Sequence, residues 1–345
     1  MKNSAPGPDR IHPQMLKHLT NRNMIYLTLL FNYIWSNHEF PSQWRVAHIL
    51  PTYKMGKDKL NPTSYRPVSL TNVLCKILEK IVVKRLRLSL EIRKVLDKFQ
   101  SDFRSQRSTL DNLVYLTEEV RYGFSRQQHT LCVFFDMEKA FDRLHPAAIL
   151  NSLQQLQYHG NIFYFIQNFL ADRSFQVRVG NHLSTTRKQE VGTPQGSVLS
   201  PLLFILAVNS ISEILSYPIY HTFYADDLAI FTRGDNLEEM VKLLQEVIHK
   251  LVVWSEARGL RFSAAKSSVV NFTRKRNVPT ITLSLYGNRL PVVSTVKFLG
   301  ITLDSKLNWC HYIAELKKKC LSRLNLLKML NGSSGGADRK CLLRL

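Results

Sequence analysis

The run Val133-Phe134-Phe135-Asp136 reads as a buried strand that ends in a carboxylate, and a later apolar stretch, Phe223 to Ile230, carries two more at its centre, Asp226 and Asp227. Acidic side chains in hydrophobic strands are costly unless something positive compensates them. Lys and Arg outnumber Asp and Glu 47 to 26, a formal net charge of +21. Such a field favours a polyanionic partner. Divalent cations held for work on phosphates compensate the acids and fit the basic surroundings.

The basic residues cluster at Lys84-Arg85, at Arg104 and Arg107, at Arg274-Lys275-Arg276 and at Lys317-Lys318-Lys319. Any one cluster can equally be solvated surface; the total is harder to dismiss. At 345 residues the chain is long enough for two or three packed subdomains. Cys75, Cys132, Cys310, Cys320 and Cys341 form no CxxC pair. That spacing argues against structural zinc or a secreted disulfide framework and predicts an intracellular protein, in the nucleus, the cytoplasm or both. No apolar run reaches the length of a membrane span, and Met1 to Pro8 is no signal peptide, so no membrane partner is expected.

Leu16, Leu19, Leu27, Leu30, Phe31 and Ile34 recur at helical spacing and predict one helix before a short strand at Ala47 to Pro51. A polar basic loop from Lys54 to Pro67 leads into a long helix with Leu74, Ile77, Leu78, Ile81, Val82 and Leu86 inward. Ser108 or Thr109 opens the next helix, with Asp111 favourable in its first turn. Leu131 to Asp136 reads as a central strand, and helix returns from Pro146 to about Leu156. The alternation at Phe175 to Val179 reads as a half-exposed strand. Ser200-Pro201 supplies a cap and first-turn proline for a buried helix. After the acidic hairpin, Asp235 and Glu238 are spaced to cap an amphipathic helix that Gly259 ends. The rest is strand-rich to about Leu303, with a turn at Gly287-Asn288, and a basic helix begins near His311. This order predicts an α+β fold built on a split βαβ sheet with helices on one face.

In that topology the strand ending at Asp136 and the hairpin around Asp226 are neighbours, and their carboxylates can converge on one edge. Alone, Asp226-Asp227 could be a plain hairpin turn and Asp136 a strand-end cap. Other segments bear on the choice: Ala5-Pro6-Gly7-Pro8-Asp9; Lys54 with Gly56-Lys57-Asp58; Ser64-Tyr65-Arg66-Pro67-Val68-Ser69-Leu70; Phe135 to Asp142; Gly192-Thr193-Pro194-Gln195-Gly196-Ser197; Tyr224-Ala225-Asp226-Asp227; Lys266; and Phe298-Leu299-Gly300. In this order, over nearly the whole chain, they resemble the reverse transcriptase domain of non-LTR, LINE-like retrotransposons, in the manner of the jockey group.

The resemblance implies a right-hand polymerase: fingers at 1–130 with 160–190 returning to them or to the palm edge, a palm at 131–159 and 191–303, and the start of a truncated thumb at 304–345. It implies an RNA-directed DNA polymerase that adds dNTPs to a primer on an RNA template. Two Mg2+ ions, or Mn2+ in their place, would sit on Asp136, Asp226 and Asp227. Lys266 would protonate the leaving pyrophosphate or act as its counter-charge. Lys54, Arg66, Phe141, Gln195 and Gly196 would bind the nucleotide, with Phe141 excluding a 2′-hydroxyl, although by itself Phe141 reads as core. Phe298, Leu299 and Gly300 would grip the primer.

Three departures stand out. Gln100-Ser101-Asp102-Phe103-Arg104 has Asp102 where the family has glycine, which predicts a negative group near the template path. Ser263 stands where asparagine is usual, and the thumb is expected to stop soon after Gly335-Gly336 with no endonuclease domain before Met1. A silent relic that only binds RNA or RNA–DNA duplex, or a maturase-like RNA chaperone, are the rival functions.

Overall fold

The computed structural model describes residues 5–276 and 278–330. The Gly335-Gly336 segment, Cys341 and the rest of 331–345 lie outside the described residues.

The N-terminal stretch forms two helices where one was expected: α1 (Pro13–Lys17) and α2 (Asn21–Asn37). Thr20 divides them, because its hydroxyl accepts from the Asn23 N–H at 3.3 Å and caps α2. Phe31 and Ile34 are buried, whereas Leu30 is exposed. Next come β1 (Val46–Tyr53) and β2 (Tyr65–Leu70), antiparallel to each other across the Lys54–Ser64 loop. In α3 (Val73–Ile92) Leu78, Val82, Leu86 and Leu90 make the buried stripe, and Ile81, expected inside, turns outward beyond its edge. Ser108, not Thr109, caps α4 (Thr109–Ser125); its N–H donates to Asp111 Oδ2 at 2.7 Å in a reciprocal capping box.

After β3 (His129–Phe135) run α5 (Ala140–Arg143), α6 (Pro146–Gln155) and α7 (Asn161–Leu170). The chain then returns to the first sheet with β4 (Ser174–Val179), β5 (His182–Leu183) and β6 (Arg187–Lys188). That sheet runs β2-β1-β4-β5, with β6 also on β4, and β1 and β4 are parallel. The buried α8 (Ser200–Val208) leads to the hairpin β7 (Tyr220–Tyr224) and β8 (Asp227–Gly234). After α9 (Leu237–Glu256) comes β9 (Ser268–Phe272). The short hairpins β10 (Ser284–Leu285) with β11 (Asn288–Arg289), and β12 (Thr295–Phe298) with β13 (Ile301–Asp304), precede α10 (Cys310–Leu330). The first of these turns is Tyr286-Gly287, at φ 51° and 75°, one residue before the expected Gly287-Asn288.

The second sheet has the order β7-β8-β3-β9, antiparallel throughout. Helices cover both of its faces, which corrects the one-faced expectation. Leu131, Val133 and Phe135 of β3 join a core with Leu244, Ile248 and Leu251 of α9. Cys132 and Phe134 face the other way, onto Leu113, Leu116 and Val120 of α4 and Phe298 and Leu303 of the last hairpin. This double burial is why the β3 run is continuously apolar.

Two caps differ from expectation. The α9 cap is Asn236, whose Oδ1 accepts from the Glu238 and Glu239 N–H groups at 3.1 and 3.3 Å, while Asp235 instead faces Lys275. At α8, Ser197 accepts from the Leu199 and Ser200 N–H groups, and Ser200 lies inside the helix with its hydroxyl buried and unpartnered. Among the described residues no helix is long and apolar enough to cross a membrane.

Candidate active site

Asp136 follows the last residue of β3, where Phe135 pairs with Leu228, so it stands beside the start of β8 at Asp227. A turn at Ser263 to Ser267 holds it from the other side. The Asp136 carbonyl accepts from the Ser263 N–H at 2.8 Å, and its Oδ1 accepts from Lys266 Nζ at 2.9 Å. Ser263 thus serves through its backbone, which any residue supplies.

Tyr224 pairs with Asp227 across a two-residue turn whose Ala225 has φ 53°. The tight turn presents Asp226 and Asp227 at the same edge as Asp136. Burial pushes the Asp226 carboxyl up, Asp136 adds to the rise and Lys266 opposes it. Asp227 is pushed up to about 6, by burial first and then by Asp226 and Asp136. Its side chain keeps solvent access, which moderates the shift without reversing it, since the two neighbouring charges remain.

Asp102 is buried, 7% exposed, beside the acidic turn. Residues 99–101 add to the free edge of β7, with the Phe223 N–H donating to Phe99 and the Ser101 N–H to Phe223. Asn112 staples this edge through Nδ2, at 2.6 Å from Thr222 Oγ1 and 2.9 Å from the Phe223 carbonyl. Burial raises the Asp102 carboxyl, the Tyr224 hydroxyl that donates to it lowers it, and Asp226 raises it further. The residue is a buried support of the acidic turn that the sequence pattern did not reveal.

A second cluster forms where α5 meets the Gly192–Ser197 loop. The Phe141 ring is half-buried against Phe204, centroids 4.8 Å apart. The Thr193 N–H donates to the Phe141 carbonyl at 2.8 Å, and Gln195 Nε2 donates to Asp142 Oδ1 at 2.7 Å. Asp142, inside α5, therefore also anchors this loop. Burial raises its carboxyl, and the Gln195 bond and then Lys139 and Lys54 draw it back down. Gly196, at φ 130°, lies so close to β2 that a Cβ would stand 2.3 Å from the Ser69 carbonyl oxygen. The immediate reason for glycine here is this backbone contact, reinforced by the Ser69 N–H donating to the Gln195 carbonyl at 2.6 Å.

Lys54 Nζ donates to the Thr63 carbonyl at 3.0 Å, and Arg66, opposite Thr52, is exposed. Phe298 is buried against Phe134, so only Leu299 and Gly300, at φ 47° and 85°, form the tip of their hairpin. Sequence reasoning missed Glu79. This fully buried carboxylate on α3 accepts from Ser197 Oγ and from the N–H groups of Val198 and Leu199, at 2.7 and 3.0 Å for the last two. Only the apolar helical stripe around it could have hinted that position 79 faces inward.

Carboxylate oxygens are the donors that hard divalent cations take. The raised Asp226 and Asp227 mark an edge short of positive charge, which fits such ions. Among the described residues no three acidic, His or Cys side chains are gathered closely enough to hold an ion as they stand. Lys266 bonds Asp136, and Asp136, Asp226 and Asp227 are the residues that would hold such a cation.

An acidic edge on a helix-covered antiparallel sheet, beside a loop-and-strand wall, defines a right-hand polymerase. The chain is similar in fold to apo telomerase from Candida tropicalis truncated from its C-terminal domain, at TM-score 0.53 and 13% identity over 83% of this chain and 59% of that one. It is also similar to Candida tropicalis telomerase in complex with a fragment of telomeric RNA, at TM-score 0.54 and 13% identity over 83% and 48%. The chain belongs to the reverse transcriptase (RNA-dependent DNA polymerase) family, whose profile matches residues 55–303. It is 33% identical to the probable RNA-directed DNA polymerase from transposon BS of Drosophila melanogaster, over 94% of this chain and 37% of that protein. With the RNA-directed DNA polymerase from mobile element jockey of the same species it shares 29% identity, over 91% and 35%. The chain thus spans little more than a third of the length of these relatives. The family is one of nucleotidyltransferases that generally use divalent metal ions.

Proposed function

We propose that this chain is the polymerising part of a non-LTR retroelement protein, adding deoxynucleotides to a DNA primer 3′-hydroxyl on an RNA template inside the cell. The observation that carries the proposal is the meeting of Asp136, Asp226 and Asp227 at one sheet edge, where burial and then neighbouring charge hold Asp227 up at about 6. Magnesium, or manganese, bound by these carboxylates as a pair of ions would stabilise the attacking and leaving oxygens of an in-line phosphoryl transfer. The chain's own residues bind, orient and exclude.

Residues 1–130 with 160–190 serve as fingers, 131–159 with 191–303 as palm, and the chain from 304 as the start of the thumb. Lys54 and Arg66 neutralise the triphosphate. Phe141, braced by Phe204, cannot swing aside for a 2′-hydroxyl and offers it no partner. Gln195 and Gly196 form the nucleotide platform. Lys266, whose ammonium lies 2.9 Å from Asp136 Oδ1 at this edge, would give a proton to the leaving pyrophosphate or balance its charge. Leu299 and Gly300 reach the primer on a hairpin anchored by Phe298. The positive field holds nucleic-acid backbones without reading sequence.

Extension of oligo(dT) on poly(rA) with magnesium tests this. Robust extension by the wild type and none by Asp226→Ala is the expected result. Equal signals from the two would leave only a nucleic-acid-binding protein.

A further inference from the structure

We propose that Asp142 is a positioning residue that locks the amide of Gln195 in one orientation toward the incoming nucleotide, an assignment that rests on the polymerase function above. Gln195 Nε2 donates to Asp142 Oδ1 at 2.7 Å. An ionised carboxylate only accepts, so the amide nitrogen must face it and the amide oxygen must face away. With a neutral amide partner the same side chain could turn over and still bond.

The surroundings hold Asp142 in place. Burial raises its carboxyl, while Gln195, Lys139 on its own turn and Lys54 from the β1–β2 loop oppose that rise. The loop carrying Gln195 is stitched to the residues around Asp142 by Thr193 N–H to the Phe141 carbonyl at 2.8 Å and Gly192 N–H to the Leu144 carbonyl at 2.9 Å. Gly192 packs so tightly that a Cβ there would stand 2.6 Å from the Asp142 carbonyl oxygen. Loop and carboxylate therefore move together. Phe141 and Asp142, adjacent in sequence, divide the work: the ring limits the sugar, and the carboxylate fixes the amide beside it.

A double-mutant cycle tests the role. Single-nucleotide addition is measured for the wild type, Asp142→Asn, Gln195→Ala and the double variant, with melting temperatures for all four. Asp142→Asn is expected to raise the KM for dNTP about tenfold, with a smaller fall in kcat, as for loss of a charged hydrogen bond. In the Gln195→Ala background the same change should add less than about twofold. Asp142→Glu, which keeps an acceptor-only group, should recover most of the loss. Additive penalties, a neutral Asp142→Asn, or failure of that isosteric variant to fold would overturn the proposal. Extension by the wild type reports on the polymerase function separately.

Discussion

Asp227 has the clearest pH signature among the acids at the sheet edge. In the folded chain its carboxyl keeps its proton up to about 6, against 3.8 for an ordinary aspartate. Between those values the folded state binds more protons than the unfolded one. The contribution to stability therefore falls as pH rises through that window and is fully unfavourable above it. Metal-free Asp227→Asn should accordingly melt higher than the wild type at pH 7, with the advantage gone near pH 4. Added magnesium should narrow the gap at pH 7 by stabilising the wild type more. Scanning calorimetry at the two pH values checks this, and a pH-independent difference would contradict it. Gly196 gives a second test at the same scale. Any side chain there meets the Ser69 carbonyl at 2.3 Å in a backbone conformation at φ 130°. Gly196→Ala should cost about 1–3 kcal/mol, read by urea denaturation, and should lower dNTP affinity as the platform shifts.

Among the elements, α8 depends most on a residue far from it in sequence. Glu79 receives two backbone N–H groups and a hydroxyl at the N-terminal end of α8, with buried Arg173 within electrostatic reach. Glu79→Ala strands those donors and should cost about 3–5 kcal/mol in urea denaturation, as removal of one partner of a buried charged network does; a loss under about 1 kcal/mol would show that water replaces it. On α9, Asn236→Ala should cost about 1 kcal/mol while Asp235→Ala costs almost nothing, because Asn236 makes the cap. These elements also show what the sequence displayed and what it hid. The β3 run, the acidic hairpin and a helix start at Ser108 or Thr109 with Asp111 in its first turn were legible because each is encoded by neighbours. The Glu79 network, the buried Asp102 and the closeness of Gly196 to Ser69 were not, because each depends on contacts between distant segments. Asp235 misled because Asn236, one position on, fits the same pattern, and Ser200 because Ser197, three positions earlier, accepts the N–H groups at the start of α8.

Across the whole molecule, the central strand, the acidic hairpin and the long helices around them were readable in order, and so was the α+β class, whereas the α1–α2 break and α7 were not. The covering of both sheet faces was not, because α4 precedes the sheet and its partner on the last hairpin follows it. The formal charge of +21 predicts binding to RNA–DNA duplex that weakens steeply with salt. Several phosphate contacts should lower affinity by roughly a hundredfold or more between 50 and 200 mM salt, measured by fluorescence anisotropy; a flat response would show that the basic surface is not the contact. Single-turnover addition of one deoxynucleotide to an RNA-paired primer, comparing the wild type with Asp136→Asn at matched duplex occupancy, tests the acidic centre most directly. Binding should persist in the variant while addition falls by several orders of magnitude; addition within tenfold of the wild type would contradict a carboxylate-held metal centre at Asp136.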